Sequence, residues 1–333
     1  MTNRTRAAKA VPGARTAPAR RPAASPGKAA TGKGRRPAPG RPSGPTPKPA
    51  ARRWVPAAGA VLALAAIAGG VFAVTRGDDA SGGPDTAGPY VGGDLHVLAG
   101  LGDRLYVGGH DGAAVSLDDG ATWAALESLR GSDPMGWGQT NDAMLVGGHP
   151  GLFRSTDDGA TFTQVTGEDA IPDVHALGAA GDTAYLASTQ MGFLASSDGG
   201  ATWEVVNAEV GQGFMGTILV DPTDPRRLIA PDMSQGLVNS TDGGLTWTPL
   251  GGPGGAMAAA WDPADTDRLV AVGMSESALS TDSGTTWAPL QMPQGTSAAT
   301  FSNDGDTLYA AALEGTTARI FASTDLGQTW TEL

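Results

Sequence analysis

The chain of 333 residues contains no cysteine. Disulfide cross-links are therefore excluded, and so is a thiolate, whether as catalytic nucleophile or as zinc ligand. Lysine is absent after Lys48, and no acidic residue precedes Asp78. No aromatic side chain precedes Trp54, so the basic N-terminal stretch lacks the rings on which single-stranded nucleic acid stacks. What is present is divided along the chain. The first 53 residues carry 14 Lys or Arg, whereas from Trp54 onward 34 Asp or Glu stand against 8 Arg, a net charge of −26. Two environments are written into one sequence.

Between them runs "WVPAAGAVLALAAIAGGVFAV", residues 54–74, an uncharged stretch of 21. At about 1.5 Å per residue it is just long enough to cross a hydrocarbon core of about 30 Å, and it predicts one transmembrane helix. Arg52 and Arg53 abut its start and the acids begin after it. The positive-inside bias therefore keeps the N-terminus cytoplasmic and exports the remainder. A cleaved signal peptide would call for a much shorter leader and a small-x-small site before Thr75. Residues 1–53, rich in Pro, Ala and Arg, have little to bury and are predicted to be a disordered cytoplasmic arm drawn to anionic lipid. Residues 75–89 read as a flexible linker, and 90–333 as an acidic extracytoplasmic domain of which no nucleic-acid partner is expected.

That domain repeats itself. "STDGGLTW" from Ser240 recurs as "SLDDGATW" from Ser116, "STDDGATF" from Ser155, "SSDGGATW" from Ser196, "STDSGTTW" from Ser280 and "STDLGQTW" from Ser323. Successive serines are 39, 41, 44, 40 and 43 residues apart, the period of a four-stranded propeller blade. Each unit reads as four short strands separated by turn residues. The first, for example, offers "HVLAGL", "RLYVGGH", "GAAVS" and "TWAALE". Six units fill the chain to Leu333 and predict an all-β fold, a six-bladed propeller.

The octapeptide falls in the turn between the third and fourth strands. There Asp118, Asp157, Asp198, Asp242, Asp282 and Asp325 can accept backbone N–H groups, Gly supplies a positive φ, and the aromatic ring is buried. These needs are structural. The pattern S-x-D-x-G-x-T-W, met in full at Ser240, Asp242, Gly244, Thr246 and Trp247, resembles the box of the BNR or Asp-box repeat propellers. The resemblance covers the last three quarters of the chain and implies that the boxes are folding elements. Sialidases, other glycoside hydrolases, sortilin-like receptors and photosystem assembly factors share that box, so the resemblance implies a fold and leaves function open. A sialidase-like site implies an arginine triad, a Tyr backed by a Glu, and an acid/base carboxylate. Arg104, Arg227 and Arg268 all precede second strands, on the face of the boxes, and "GLFRS" at 151–155 matches the sialidase Phe-Arg-Ile-Pro motif only in its Phe-Arg. No catalytic residue is assigned, although Glu127, Asp169 and Glu209 are carboxylates on the opposite rim.

Aligning the units exposes a second regularity. His96, Met135, His175, Met215 and Met257 stand at the starts of first strands, and His110, His149, Met233 and Met274 at the ends of second strands. In an antiparallel blade these two positions share one face, across the disc from the boxes, around the mouth of the central channel. Imidazole and thioether are poor substitutes in packing but both ligate soft or borderline metals. The nine residues therefore predict a metal site, copper and in particular Cu(I), with Asp94, Asp133 and Asp173 placed to orient imidazoles. Channel packing and a carbohydrate- or peptide-binding cleft are the competing readings. The expected function is a non-catalytic, membrane-tethered binding module, its partner a metal ion or another envelope protein. The alternative is a sialidase-like glycoside hydrolase or a carbohydrate- or protein-binding scaffold.

Overall fold

Glycine- and aspartate-rich turns cut residues 88–333 into short strands, and the computed structural model, which describes those residues, arranges them as six sheets. The basic arm, the anchor predicted over 54–74 and all but the last two residues of the linker lie outside the described residues. No helix of the described residues is long and apolar enough to cross a membrane. Five of the sheets are four-stranded antiparallel meanders in chain order, the sheet of the third repeat gains a fifth strand from the fourth, and together they form the six blades of a propeller. The innermost strands are Leu95–Leu101, Asp133–Gln139, Ala176–Ala180, the pair Gly216–Thr217 and Leu219–Val220, Ala256–Asp262, and Thr296–Phe301. In the fourth blade this strand is broken at Ile218, and its first half pairs in parallel with the inner strand of the third. The outermost strands are shorter than the sequence implies. In the first blade only Ala124–Ala125 pair, because Glu127–Leu129 turn into a 3-10 helix that buries Leu129.

The six boxes share one geometry. In the fourth blade the Ser240 hydroxyl donates to Asp242 Oδ1 at 2.8 Å and accepts the Gly244 N–H at 2.9 Å. Asp242 then accepts the Thr246 N–H at 2.9 Å and its hydroxyl at 2.6 Å. The same four bonds recur from Ser116, Ser155, Ser196, Ser280 and Ser323. A carboxylate so supplied with donors is held in its charged form. Asp157, Asp198, Asp242 and Asp325 accordingly sit at about 2, with the partner threonine hydroxyl the leading cause in each.

Each box also touches the preceding blade. A Cβ on Gly244, whose φ is +90°, would overlap the Phe193 ring of the third blade, and one on Gly200 would meet Leu145 of the second at 2.6 Å. Gly120 of the first blade lies likewise against Leu333 of the sixth. The few aromatics are concentrated at the same seams: Tyr106 stacks on Trp137 with centroids 4.6 Å apart, and Phe193 meets Trp247 edge-on at 5.1 Å. Closure between the last and first blades uses a segment that the repeat does not predict as strand. Pro89 to Gly92 run beside the third strand of the sixth blade, with Ala318 N–H bonded to Pro89 O at 2.8 Å and Val91 N–H to Thr316 O at 3.0 Å.

Candidate metal centre

The side chains that the sequence reading places at the channel mouth owe their direction to a backbone irregularity. In four of the six blades the antiparallel register of the first two strands slips by one residue, and the unpaired residues are His96, Met135, Met257 and Ser297. A bulge of this kind leaves one side chain outside the alternation of the strand and re-aims it. His96, Met135, Met257 and Ser297, with Met215 and Met233 of the fourth blade, line a cavity of about 50 Å³ where the inner strands begin. Of the nine residues that the sequence places around the mouth, His110, His149, His175 and Met274 are not in its lining. Met274 stands apart from the others: it is 72 % exposed and lies in an outer groove beside Glu276 and Gln291.

The histidines gather with two aspartates at the seams between the first three blades. Asp133 opens the inner strand of the second blade, paired with His149 across the sheet, and His149 Nδ1 lies 3.2 Å from its Oδ2. Its Oδ1 faces back to the first blade, 3.0 Å from His96 Nε2, while His110 Nδ1 is 3.5 Å from Oδ2. Asp173, just before the inner strand of the third blade, follows the same plan. Its Oδ2 accepts the hydroxyl of Thr189, which occupies in the third blade the position of His149 in the second. Its Oδ1 lies 2.8 Å from His149 Nε2 and 2.9 Å from His175 Nε2, and these two nitrogens are 3.4 Å apart.

The Oδ2 atoms of the two aspartates are hydrogen-bonded in this way, but the Oδ1 atoms are not. Asp133 and Asp173 are only 8 % and 7 % exposed, and their Oδ1 atoms, like His96 Nε2, are buried without an aligned hydrogen-bond partner. The distance of 3.0 Å between His96 Nε2 and Asp133 Oδ1 would suit a hydrogen bond, but the direction does not. Burial opposes ionisation of Asp133, yet the surrounding His96, His149 and His110 hold its carboxyl at about 2. Burial likewise works against a charged His96, and Asp133 and Asp94 outweigh it and raise its pKa. A buried polar atom left without a hydrogen bond is costly in a folded protein. Two donors held by one first-row ion at about 2.0–2.2 Å and about 90–110° apart lie about 2.8–3.6 Å from each other. The trio His149 Nε2, Asp173 Oδ1 and His175 Nε2 has nearly that spacing.

The four histidines were legible in sequence as candidate ligands, but Asp133 and Asp173 were read only as residues orienting them, because nothing in the spacing shows which carboxylate oxygen is free. The arginines go elsewhere. Arg104 pairs with Asp158, Arg227 with Asp221 and Ser283, and Arg268 with Asp262, each at a seam or turn on the box face. Glu127 is tied to Arg130 at 2.6 Å, and Asp169 and Glu209 are exposed on connections of other blades.

No protein-family model and no curated protein matches the chain. Among solved structures it is similar to the GH74 xyloglucanase of Xanthomonas campestris, at 17 % identity over 75 % of this chain and 46 % of that one, with a TM-score of 0.51. It therefore spans about half the length of that enzyme. A chain of a nidogen/laminin complex matches at 14 % identity over 72 % of this chain and 91 % of its own, also with a TM-score of 0.51. YCF48 bound to a D1 peptide matches at 18 % over 74 % of this chain and 83 % of its own, with a TM-score of 0.49. At these identities the likeness is one of fold: the chain is a β-propeller of six blades, with a GH74 xyloglucanase and a chain of a nidogen/laminin complex among its structural neighbours.

Proposed function

We propose that the propeller is a metal-ion-binding module whose primary centre is His149 Nε2, Asp173 Oδ1 and His175 Nε2. The observation that carries this reading is Asp173 Oδ1 itself, buried, without an aligned hydrogen bond, and within 2.9 Å of two imidazole nitrogens. Two imidazoles and a carboxylate suit a borderline divalent ion, and among first-row ions copper(II) binds such donors most tightly. Thr189 orients the carboxylate, and Asp133, bonded at His149 Nδ1, leaves Nε2 free to ligate. In this reading the propeller stands outside the cell on the 54–74 anchor and exchanges its ion with another envelope component. The test is titration of the purified full chain with Cu(II) against a competing chelator. His175→Ala is expected to weaken binding by more than about 100-fold, since changes in the outer shell alone cost 10–100-fold. Equal affinity and equal stoichiometry in the two proteins reject the centre.

A second reading draws on the thioethers. Met135, Met215, Met233 and Met257 share one cavity with His96, and Met233 and Met257 are 56 % and 38 % exposed rather than packed away. Soft donors in that number favour Cu(I). Binding of Cu(I) that is lost in a Met215→Leu/Met257→Leu variant and retained in His175→Ala assigns the ion to the thioether-lined cavity. The reverse pattern assigns it to the His/Asp centre. Sialidase-like hydrolysis is the weaker alternative, since Arg104, Arg227 and Arg268 are each committed to a neighbouring acid.

A further inference from the structure

The seam between the first and second blades repeats the construction of the seam between the second and third. In both, an aspartate at the start of the later blade has Oδ2 anchored from its own blade, by His149 Nδ1 at Asp133 and by Thr189 Oγ1 at Asp173. In both, Oδ1 is buried without an aligned hydrogen bond and turned on imidazole of the cluster. The earlier blade supplies a histidine at the end of its second strand, His110 to the first seam and His149 to the second. The third donor comes from the start of an inner strand, His96 in one case and His175 in the other. The donor atoms of His96, His110 and Asp133 lie within 4.8 Å of one another, as do those of His149, Asp173 and His175. Packing alone does not account for the first trio. A buried imidazole and carboxylate meant only for each other would align for a hydrogen bond, and His96 Nε2 and Asp133 Oδ1, at 3.0 Å, do not.

We infer that the propeller holds two divalent transition-metal ions, the second bound by His96, His110 and Asp133. The inference rests on the primary centre proposed above and extends it. The two centres are joined through one side chain: Asp133 offers Oδ1 to the second ion while Oδ2 holds the ring of His149, whose Nε2 binds the first. Occupancy of one centre is thereby felt at the other, because an ion drawing charge from Asp133 changes the hydrogen bond that orients His149.

Native mass spectrometry and calorimetric titration of the full chain with Cu(II) test this, beside His96→Ala/His110→Ala and His175→Ala. Two equivalents are expected in the unaltered chain and one in each variant. In His96→Ala/His110→Ala the remaining ion should bind with affinity within about tenfold of the primary centre. With both centres filled, magnetic coupling should broaden the copper resonance seen when one is filled. His110 is 69 % exposed, so His110→Ala alone, expected to weaken only the second equivalent, covers the case in which loss of His96 disturbs folding. A single equivalent in the unaltered chain, lost in His175→Ala and untouched by loss of His96 and His110, overturns the second centre and leaves the first. Two equivalents retained in His96→Ala/His110→Ala also overturn it. No binding in the unaltered chain overturns both.

Discussion

Ser240→Ala separates a box that is a joint from a box that is a site. Ser240 is 2 % exposed. Its hydroxyl is the acceptor for the buried Gly244 N–H at 2.9 Å and a donor to Asp242 Oδ1 at 2.8 Å. Asp242 keeps its two bonds from Thr246 in the variant, so the loss concentrates on the Gly244 N–H. Stranding a buried donor costs about 1–3 kcal/mol. In a domain of this size each kcal/mol lowers Tm by about 2–4 °C, giving an expected fall of about 2–12 °C. Urea unfolding should show the same loss as a lower midpoint at unchanged slope. Ser116→Ala, in the blade across the disc, should cost a similar amount, and the double variant should be additive within about 0.5 kcal/mol because the sites share no partner. Copper affinity of folded Ser240→Ala should match the parent. A normal melt combined with lost binding would refute the assignment of the boxes to structure.

Acid should loosen the boxes together. Asp157, Asp198, Asp242 and Asp325 are depressed from 3.8 to about 2, so their contribution is complete above about pH 4 and is lost as pH falls towards 2. Urea midpoints that stay flat across that window contradict the bonding described. Gly244→Ala places a methyl on the buried Phe193 ring at a φ of +90°. It is expected to destabilise by more than about 2 kcal/mol, and a melt within 1 °C of the parent would show that the seam relaxes. Thr189→Val removes the anchor of Asp173 Oδ2 and should weaken Cu(II) binding about 10–100-fold at nearly unchanged Tm; unchanged affinity would strike Thr189 from the centre. Saturating Cu(II) at about 100 times Kd should stabilise the chain by about 2.7 kcal/mol, reversed by a chelator, and a Tm indifferent to copper counts against binding to the native state.

Sequence showed the fold well because a propeller writes each blade out in full. Ser, Asp, Gly and the aromatic recur at a fixed place in each blade, and their hydrogen bonds are local, closing within the same few residues. Interactions between distant segments left weaker traces. Pro89 to Gly92 carry no box and no alternation, and only pairing with the sixth blade makes them part of the ring. At the candidate site, the common face of the four histidines followed from their registration in the repeat. The part played by Asp133 and Asp173 did not, since it depends on which oxygen the neighbouring blade leaves uncovered. Met274 shows the limit of registration. It matches His110 and His149 in the alignment, yet it lies in an outer groove while they join Asp133 and Asp173.

The bulges at His96, Met135, Met257 and Ser297 have a consequence for how such a disc can change. A residue within a regular strand is committed to one face, and replacing it disturbs the packing of a seam. A bulged residue belongs to neither face, so exchanging its side chain leaves the pairing on both sides intact. The mouth of the channel is thus a crown of sockets around an axis, fitted in this chain with imidazole, thioether or hydroxyl, above blades whose strand pairing does not depend on which is fitted. On the reading proposed above, single substitutions in the crown change which ion the mouth prefers, while the boxes on the far face keep the disc closed.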